Sequence, residues 1–210
     1  MLEGDTHFSK WVKESGRLDH DQYHLKAVYP YVKTGDTVLD IGANIGTHTI
    51  AYSRWVGGNG RVIAIEGAVD AFNCLNHNCN RPNVERICAV VSDKPDRLTI
   101  SRDGVGENFG ASYAVEGGRK KSITIDSLNL ADCDYINLDV EGFEQAVLEG
   151  AKETIKKFRP ILCVEINEAT QRRIGSTGND LIVYILSLGY SIEKRLGEAP
   201  QQDIVFIPVG

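Results

Sequence analysis

The stretch Val38-Leu39-Asp40-Ile41-Gly42-Ala43-Asn44-Ile45-Gly46-Thr47-His48-Thr49-Ile50 decides how this chain folds. An apolar run from Val38 to Ile41 carries one acid, Asp40, and then breaks at Gly42 and Gly46. Apolar spacing resumes with a helical period at Ile45, Thr49 and Ile50. The pattern predicts strand, tight turn and helix, with the two glycines letting something approach the backbone closely. Asp40 would stand at the carboxyl end of the strand, where open α/β sheets bind ligands. The alternative is a buried strand followed by a glycine turn that binds nothing, so the rest of the chain must decide.

At 210 residues the chain can bury one sizeable core, and one domain is the expectation. Hydrophobic residues at 42% and charged residues at 25% fit an ordinary globular protein. The net charge of −6 comes with no dense Lys/Arg block, so no nucleic-acid partner is expected. Arg119-Lys120-Lys121 reads as a solvated loop. No apolar run reaches the roughly 20 residues of a membrane span, and no membrane partner is expected. The opening Met1-Leu2-Glu3-Gly4-Asp5 lacks the basic-then-apolar profile of a secretory signal. The cysteines are odd in number and scattered, and Cys74 and Cys79 lack a second pair at metal-ligand spacing. They read as reduced structural residues of a cytoplasmic protein.

Residues 1–34 read as an N-terminal helical segment able to act as a lid. A short helix is expected to end at Gly16, with Phe8 and Trp11 as anchors. A second, capped by Asp19 or Asp21, is expected to run to Val32 and to kink or end early at Pro30. Residues 35–210 then read as the main domain. A second strand, Arg61 to Glu66, ends in an acid that suits the ribose hydroxyls of a nucleotide on the first turn. A helix over Val69–Asn80 and a third strand over Val84–Val91 follow, turning at Ser92-Asp93. Residues 96–126 change character and read as an inserted hairpin. Arg97–Ser101 and Ser122–Asp126 are its expected strands, and a Gly-rich loop with Asn108, Phe109, Ser112 and Tyr113 lies between them.

The second chemically dense stretch is Tyr135-Ile136-Asn137-Leu138-Asp139-Val140-Glu141-Gly142-Phe143-Glu144. It predicts a buried strand ending in acids, and then a helix burying Phe143, Val147, Ala151 and Ile155. Glu144 in its first turn reads as a cap. Asp139, directly ending a core strand, needs a partner or a ligand. Pro160 to Asn167 is a further acid-ended strand, and a helix over Asn179–Leu188 leads to an antiparallel edge pair. Asp40, Glu66, Asp139 and Glu165 would therefore gather on one sheet edge beside the glycine turn. An acid just before that turn repels pyrophosphate and suits a cationic amino-acid group, which points to S-adenosylmethionine.

In these residues the chain resembles class I S-adenosylmethionine-dependent methyltransferases, and more narrowly the FkbM-type family. The shared features are Asp40-x-Gly42-Ala43-Asn44-x-Gly46, Thr124-Ile125-Asp126-Ser127-Leu128 and Asp139-Val140-Glu141-Gly142-Phe143-Glu144, followed by Val147-Leu148-x-Gly150-Ala151 and Arg159-Pro160-Ile161-x-x-x-Glu165. The resemblance implies a Rossmann-like α/β fold: a mostly parallel seven-stranded sheet, helices on both faces and an antiparallel edge. It implies O-methylation of a hydroxyl on a small molecule or carbohydrate. Residue by residue, it places Asp40, Gly42, Asn44 and Gly46 around the amino-acid end of the cofactor and Glu66 on the ribose. Ser92 and Asp93 would lie near the adenine, and Asp139 and Glu141 would face the methyl group and acceptor. Gly67 departs from the family's usual proline, which is expected to loosen the adenine-side loop.

The expected mechanism is in-line attack of an acceptor oxygen on the sulfonium methyl, with alignment, water exclusion and proton removal supplied by the protein. Asp139 or Glu141 would accept the proton once burial raises its pKa. A divalent metal held by Asp139, Glu165 and Asn167 is the other route to an activated hydroxyl. Two further readings stay open: a non-catalytic S-adenosylmethionine-binding protein, and a nucleic-acid methyltransferase. No Asn-Pro-Pro-Tyr or Asp-Pro-Pro-Tyr follows the strand at Asp139, which counts against the latter.

Overall fold

The structure is a computed structural model describing residues 22–103, 106, 108, 111–118 and 120–210, together with Asp5, Lys10, Lys13 and Glu14. The expected first helix with Phe8 and Trp11, the caps Asp19 and Asp21, and Phe109 lie outside the described residues.

Helix α1 (Gln22–Val28) passes into a 3₁₀ turn at Tyr29–Tyr31, so the chain leaves the α-helix at Pro30 as its missing N–H requires. Two strand–helix units and a third strand follow: β1 (Thr37–Ile41), α2 (Thr47–Val56), β2 (Arg61–Glu66), α3 (Val69–Asn78) and β3 (Val84–Cys88). After an excursion come β7 (Tyr135–Leu138), α4 (Glu144–Glu149), α5 (Lys152–Phe158), β8 (Ile161–Asn167), α6 (Glu168–Arg173) and α7 (Gly178–Ser187). The final pair is β9 (Tyr190–Glu198) and β10 (Gln201–Pro208). The main sheet runs β3-β2-β1-β7-β8-β10-β9, and only the contacts made by β10 are antiparallel.

Strand alternation sorts the core. Leu39, Ile41, Ile136, Leu138, Val164 and Ile204 join the cluster on one face. Val38, Val62, Tyr135, Cys163 and Val205 join the other, with Val28 of α1, Tyr52 of α2 and Leu75 of α3. Side chains repeat every second residue, so Asp40, Asn137, Asp139, Glu165 and Asp203 all belong to this second face. They cluster at its carboxyl edge, where the apolar packing ends.

The structure differs from the sequence expectation at four places. Ser122–Asp126 is not a strand: Ile123 makes one isolated bridge to Val91, and Asp126 opens a 3₁₀ turn. The partners of β4 (Arg97–Ser101) are instead β5 (Tyr113–Glu116) and β6 (Lys120–Lys121), forming a separate three-stranded sheet. The helix expected through Phe143, Val147, Ala151 and Ile155 is two helices broken at Gly150. A side chain there would stand 2.2 Å from the Ser92 carbonyl, so only glycine lets that loop pack against the helix. Helix α6 was not expected. Asn167 starts it, accepting the Ala169 N–H at 3.0 Å.

Candidate active site

A cavity of about 460 Å³ opens at the carboxyl edge of β1, β2, β7 and β8. The turn after β1 forms its floor. Gly42 has φ +83°, and its N–H and that of Ala43 both donate to the Ile65 carbonyl. A Cβ on Gly42 would lie 1.7 Å from the Asp139 carbonyl oxygen. This glycine thus lets the end of β7 press against the first turn. Asn44 follows in the left-handed region at φ +49°, donating its N–H to Glu66 at 2.8 Å. Its Oδ1 is buried without a hydrogen-bond partner, an acceptor left over for a ligand.

Asp40, 1% exposed, accepts from the Thr49 hydroxyl at 2.5 Å and from the Asn137 amide at 3.0 Å. Burial raises its pKa above the usual carboxylate range, against those two bonds and the nearby His24 charge. It ties β1 to α2 and β7 while fronting the cavity. Glu66 accepts the Asn44 and Ala68 N–H groups, one on each oxygen, and burial raises its pKa as well.

The far wall holds the acids after β7 and at the end of β8. Asp139, Glu141 and Glu165 each offer a carboxylate oxygen, and these lie within 4.8 Å of one another. Glu141 sits in the left-handed region at φ +54°, an uncommon conformation for this residue. Burial, reinforced by the Glu165 and Glu141 charges, lifts Asp139 well above its usual pKa. Burial and Glu144 push Glu141 up to about 7, against Arg173. Burial and Glu141 push Glu165 up to about 8. Glu144 turns away from this group. It accepts from the Val140 and Gly142 N–H groups and from Gln171, as expected of a cap.

The remaining walls were not legible. Strand β10 sets Asp203 opposite Glu165, and Asp203 accepts from His24 Nδ1 at 2.9 Å. Burial alone would lower the pKa of His24, but the Asp203 bond, with Cys163 beside it, carries it up to about 10. His24 stacks on His48, which lines the cavity, at a centroid distance of 4.6 Å. Gln201 also lines the cavity and donates to Glu165 at 2.6 Å. From the small sheet Ile100 and Ala114, with Ser112 just before β5, come over the top. Arg173 of α6 stacks on Tyr113 of that sheet at 3.9 Å.

Four of the expected residues, Gly46, Ser92, Asp93 and Asn167, do not line the cavity. Gly46 faces α3, where a Cβ would stand 2.4 Å from Cys79 Sγ. Ser92 is buried against Gly150, and Asp93 is exposed; neither lines the cavity. The apolar residues Ala89, Val90 and Val91 do so instead. Asn167 is engaged in capping α6. At Gly67, Ile100 and Val90 stand 3.0 and 3.1 Å from where a Cβ would be, so the glycine admits close packing there.

Six carboxylates line the cavity (Asp40, Glu66, Asp139, Glu141, Glu165 and Asp203), and among the described residues no Lys or Arg does. Such a lining repels the phosphates of a dinucleotide and favours a cationic ligand. Residues 40–192 match the methyltransferase FkbM domain.

The chain belongs to the FkbM methyltransferase family. It is an S-adenosylmethionine-dependent methyltransferase with the class I fold. The chain is 32% identical over 149 residues to a probable cobalt-precorrin-6B C(15)-methyltransferase (decarboxylating) of Saccharolobus solfataricus, covering 59% of this chain and 72% of that one. Among solved structures, a SAM-dependent methyltransferase from Aquifex aeolicus aligns with TM-score 0.56 and 15% identity over 99% of this chain and 98% of its own. The methyltransferase FkbM of Methylobacillus flagellatus aligns with TM-score 0.57 and 19% identity over 82% of this chain and 43% of its own. The fibrillarin of Aeropyrum pernix, solved with natively bound S-adenosyl-L-methionine, aligns with TM-score 0.57 and 14% identity over 90% of this chain and 76% of its own. The acid lining and the orphan Asn44 acceptor of this FkbM methyltransferase fit the sulfonium and ammonium charges of that cofactor. No helix among its described residues is long and apolar enough to cross a membrane.

Proposed function

We propose that this FkbM methyltransferase methylates a hydroxyl oxygen of a small molecule or carbohydrate. The observation that carries the reading is the group of Asp139, Glu141 and Glu165 at the cavity wall, three proton-accepting side chains converging on one point. When bound, S-adenosylmethionine supplies a methyl group on a sulfonium, an electrophile that needs no further activation. An alcohol is a poor nucleophile while it keeps its proton, so the protein's task is to position it and remove that proton. Asp139 or Glu141 accepts the proton at a carboxylate oxygen, helped by the burial that raises both pKa values. Asn44 Oδ1 and Asp40 favour the cationic amino-acid end, Gly42 leaves the backbone open there, and Glu66 stands at the ribose. Ala89, Val90 and Ile100 offer the apolar surface for the adenine. Ile100 and Ala114 of the small sheet exclude water from above.

A second reading, methylation at carbon, is favoured by the 32% identity to the probable cobalt-precorrin methyltransferase. The likeness to fibrillarins concerns the fold, and the acid-lined cavity disfavours a polyphosphate acceptor. The deciding experiment incubates the protein with S-adenosylmethionine and a panel of hydroxylated small molecules and sugars. Mass spectrometry finds the methylated product, and NMR locates the new methyl. The expected result is an O-methyl product, with Asp139→Asn and Glu141→Gln each reducing turnover about 10²-fold or more. A methyl on carbon or nitrogen, or full turnover in both variants, overturns the reading.

A further inference from the structure

Carboxylates held this close cannot all stay ionised without a compensating charge, and one of them is prepared for something the protein does not itself provide. Glu165 is only 7% exposed. Its Oε1 accepts from Gln201 at 2.6 Å, which fixes the side chain. Its Oε2 is buried, has no hydrogen-bond partner and belongs to a side chain lining the cavity. An unpaired buried carboxylate oxygen is costly unless a cation or proton meets it. Of the basic groups beside this wall, His24 is committed to Asp203, and Arg173, whose charge acts on Glu141, lies over the Tyr113 ring.

We propose that Asp139, Glu141 and Glu165 form a binding site for a hard divalent cation such as Mg²⁺ or Mn²⁺. The donor set is all oxygen, with no cysteine or histidine in the group, which selects this class over zinc or copper. Two oxygens on one ion stand at most twice the metal–oxygen distance apart, roughly 4.2 Å for Mg²⁺ and 4.6–5.2 Å for Ca²⁺. Oxygens within 4.8 Å of one another reach that spacing with small side-chain rotations. The Gln201–Glu165 bond acts as the outer support that orients a ligating carboxylate. Each residue contributes one oxygen, and three protein ligands leave open positions on an ion that prefers six. Resting on the O-methylation reading, those positions would take the acceptor's hydroxyl, and with it a neighbouring oxygen, so the fitting acceptors are vicinal diols and hydroxy acids. The bound hydroxyl then loses its proton to a free carboxylate oxygen of Asp139 or Glu141.

The test uses the metal alone. The chelator-stripped protein is titrated with MnCl₂ and then MgCl₂ by calorimetry, with water-proton relaxation following bound Mn²⁺. Expected is saturable binding of one ion, weakened about 10- to 100-fold in Glu165→Gln and in Glu141→Gln. Far-ultraviolet circular dichroism verifies that each variant is folded, and the more exposed Glu141→Gln serves if Glu165→Gln is not. No saturable binding, or equal affinity in the wild type and the folded variants, overturns the site. Methyl transfer to hydroxyls that persists without metal binding removes the site and leaves the O-methylation reading intact. Metal binding with transfer only to carbon does the reverse.

Discussion

The substitution Gly42→Ala asks what the first glycine of the turn is for. A methyl group there would start 1.7 Å from the Asp139 carbonyl oxygen, whereas a carbon–oxygen contact needs roughly 3.3–3.6 Å. The end of β7 must therefore retreat by nearly 2 Å, roughly, or the turn must lift. Either movement strains the Gly42 N–H bond to Ile65 and the Asp139 N–H bond to Ile41, each 3.0 Å long and each worth about 1 kcal/mol. Overpacking adds about 1–3 kcal/mol. The left-handed φ of +83° costs about 1–2 kcal/mol more once a Cβ is present. Together these give a loss of about 4 kcal/mol or more. Gly35→Ala is the matched control. Its φ is +97° and nothing lies within 4 Å of the added methyl, so only the backbone strain of about 1–2 kcal/mol remains. Urea unfolding followed by circular dichroism measures both, and calorimetry with S-adenosylmethionine measures the binding that should fall in the first variant alone. Equal stability losses in the two variants would show that the first turn and the acidic loop are not packed as described.

Other perturbations reach the site's electrostatics. Asp40→Asn turns one of the two oxygens that accept from Thr49 and Asn137 into an NH2 donor and removes one negative charge from the cavity; expected are a stability loss of about 1 kcal/mol and roughly tenfold weaker cofactor binding. Unchanged affinity by calorimetry would remove Asp40 from the cofactor's surroundings. Glu141 and Glu165 keep their protons to about pH 7 and 8 in the folded chain but release them near pH 4.5 when unfolded. In chelator the unfolded state binds fewer protons between those values, so stability falls as the pH rises through this window. Glu141→Gln should flatten that fall in the thermal midpoint, and an equally steep fall in the variant counts against the assigned proximity. His24 extends the fall to higher pH: the stability it lends is complete below pH 6.5 and disappears as the pH rises through about 10. Asp203→Asn should cost about 2–4 kcal/mol near neutral pH and return the imidazole titration, read by NMR, toward or below 6.5. A His24 that still titrates near 10 would deny the pairing.

Much of the site was legible because its parts announce themselves locally. Asp40, Glu66, Asp139 and Glu165 each end an apolar run, and strand ends in a parallel sheet share one edge. Glu144 was readable as a cap because a first-turn acid has a local reason to be there. What escaped depends on contacts between distant segments. The antiparallel edge pair was expected, but nothing near Asp203 in sequence shows that its strand inserts next to β8 and delivers it beside Glu165. His24 looks like an ordinary residue of an amphipathic helix until that strand is placed. Gly46 and Gly42 look alike in sequence, yet one makes room for α3 and the other for the Asp139 carbonyl. Gly150 gave no sign that it admits the Ser92 loop and splits a helix. The pairing of β4 with β5 was missed because Ser122–Asp126 alternates as a strand would, while its hydrogen bonds go to Val90, Asp96 and Gly150.

The reversed strand also ties the cavity to the far end of the described fold. Gln201 and Asp203 lie near the beginning of β10, and they complete the cavity from the opposite direction to every other strand. Asp203 is then joined to His24, 179 residues away, so the wall is stitched from segments near opposite ends of the chain. Closing so long a loop is entropically costly and becomes favourable only after the intervening sheet has formed. A partly folded chain can hold the glycine turn and the acids of β7, yet it lacks the last side of the pocket. The complete pocket therefore requires β10, and cofactor binding is expected to report the folding of the whole described fold rather than of its first half.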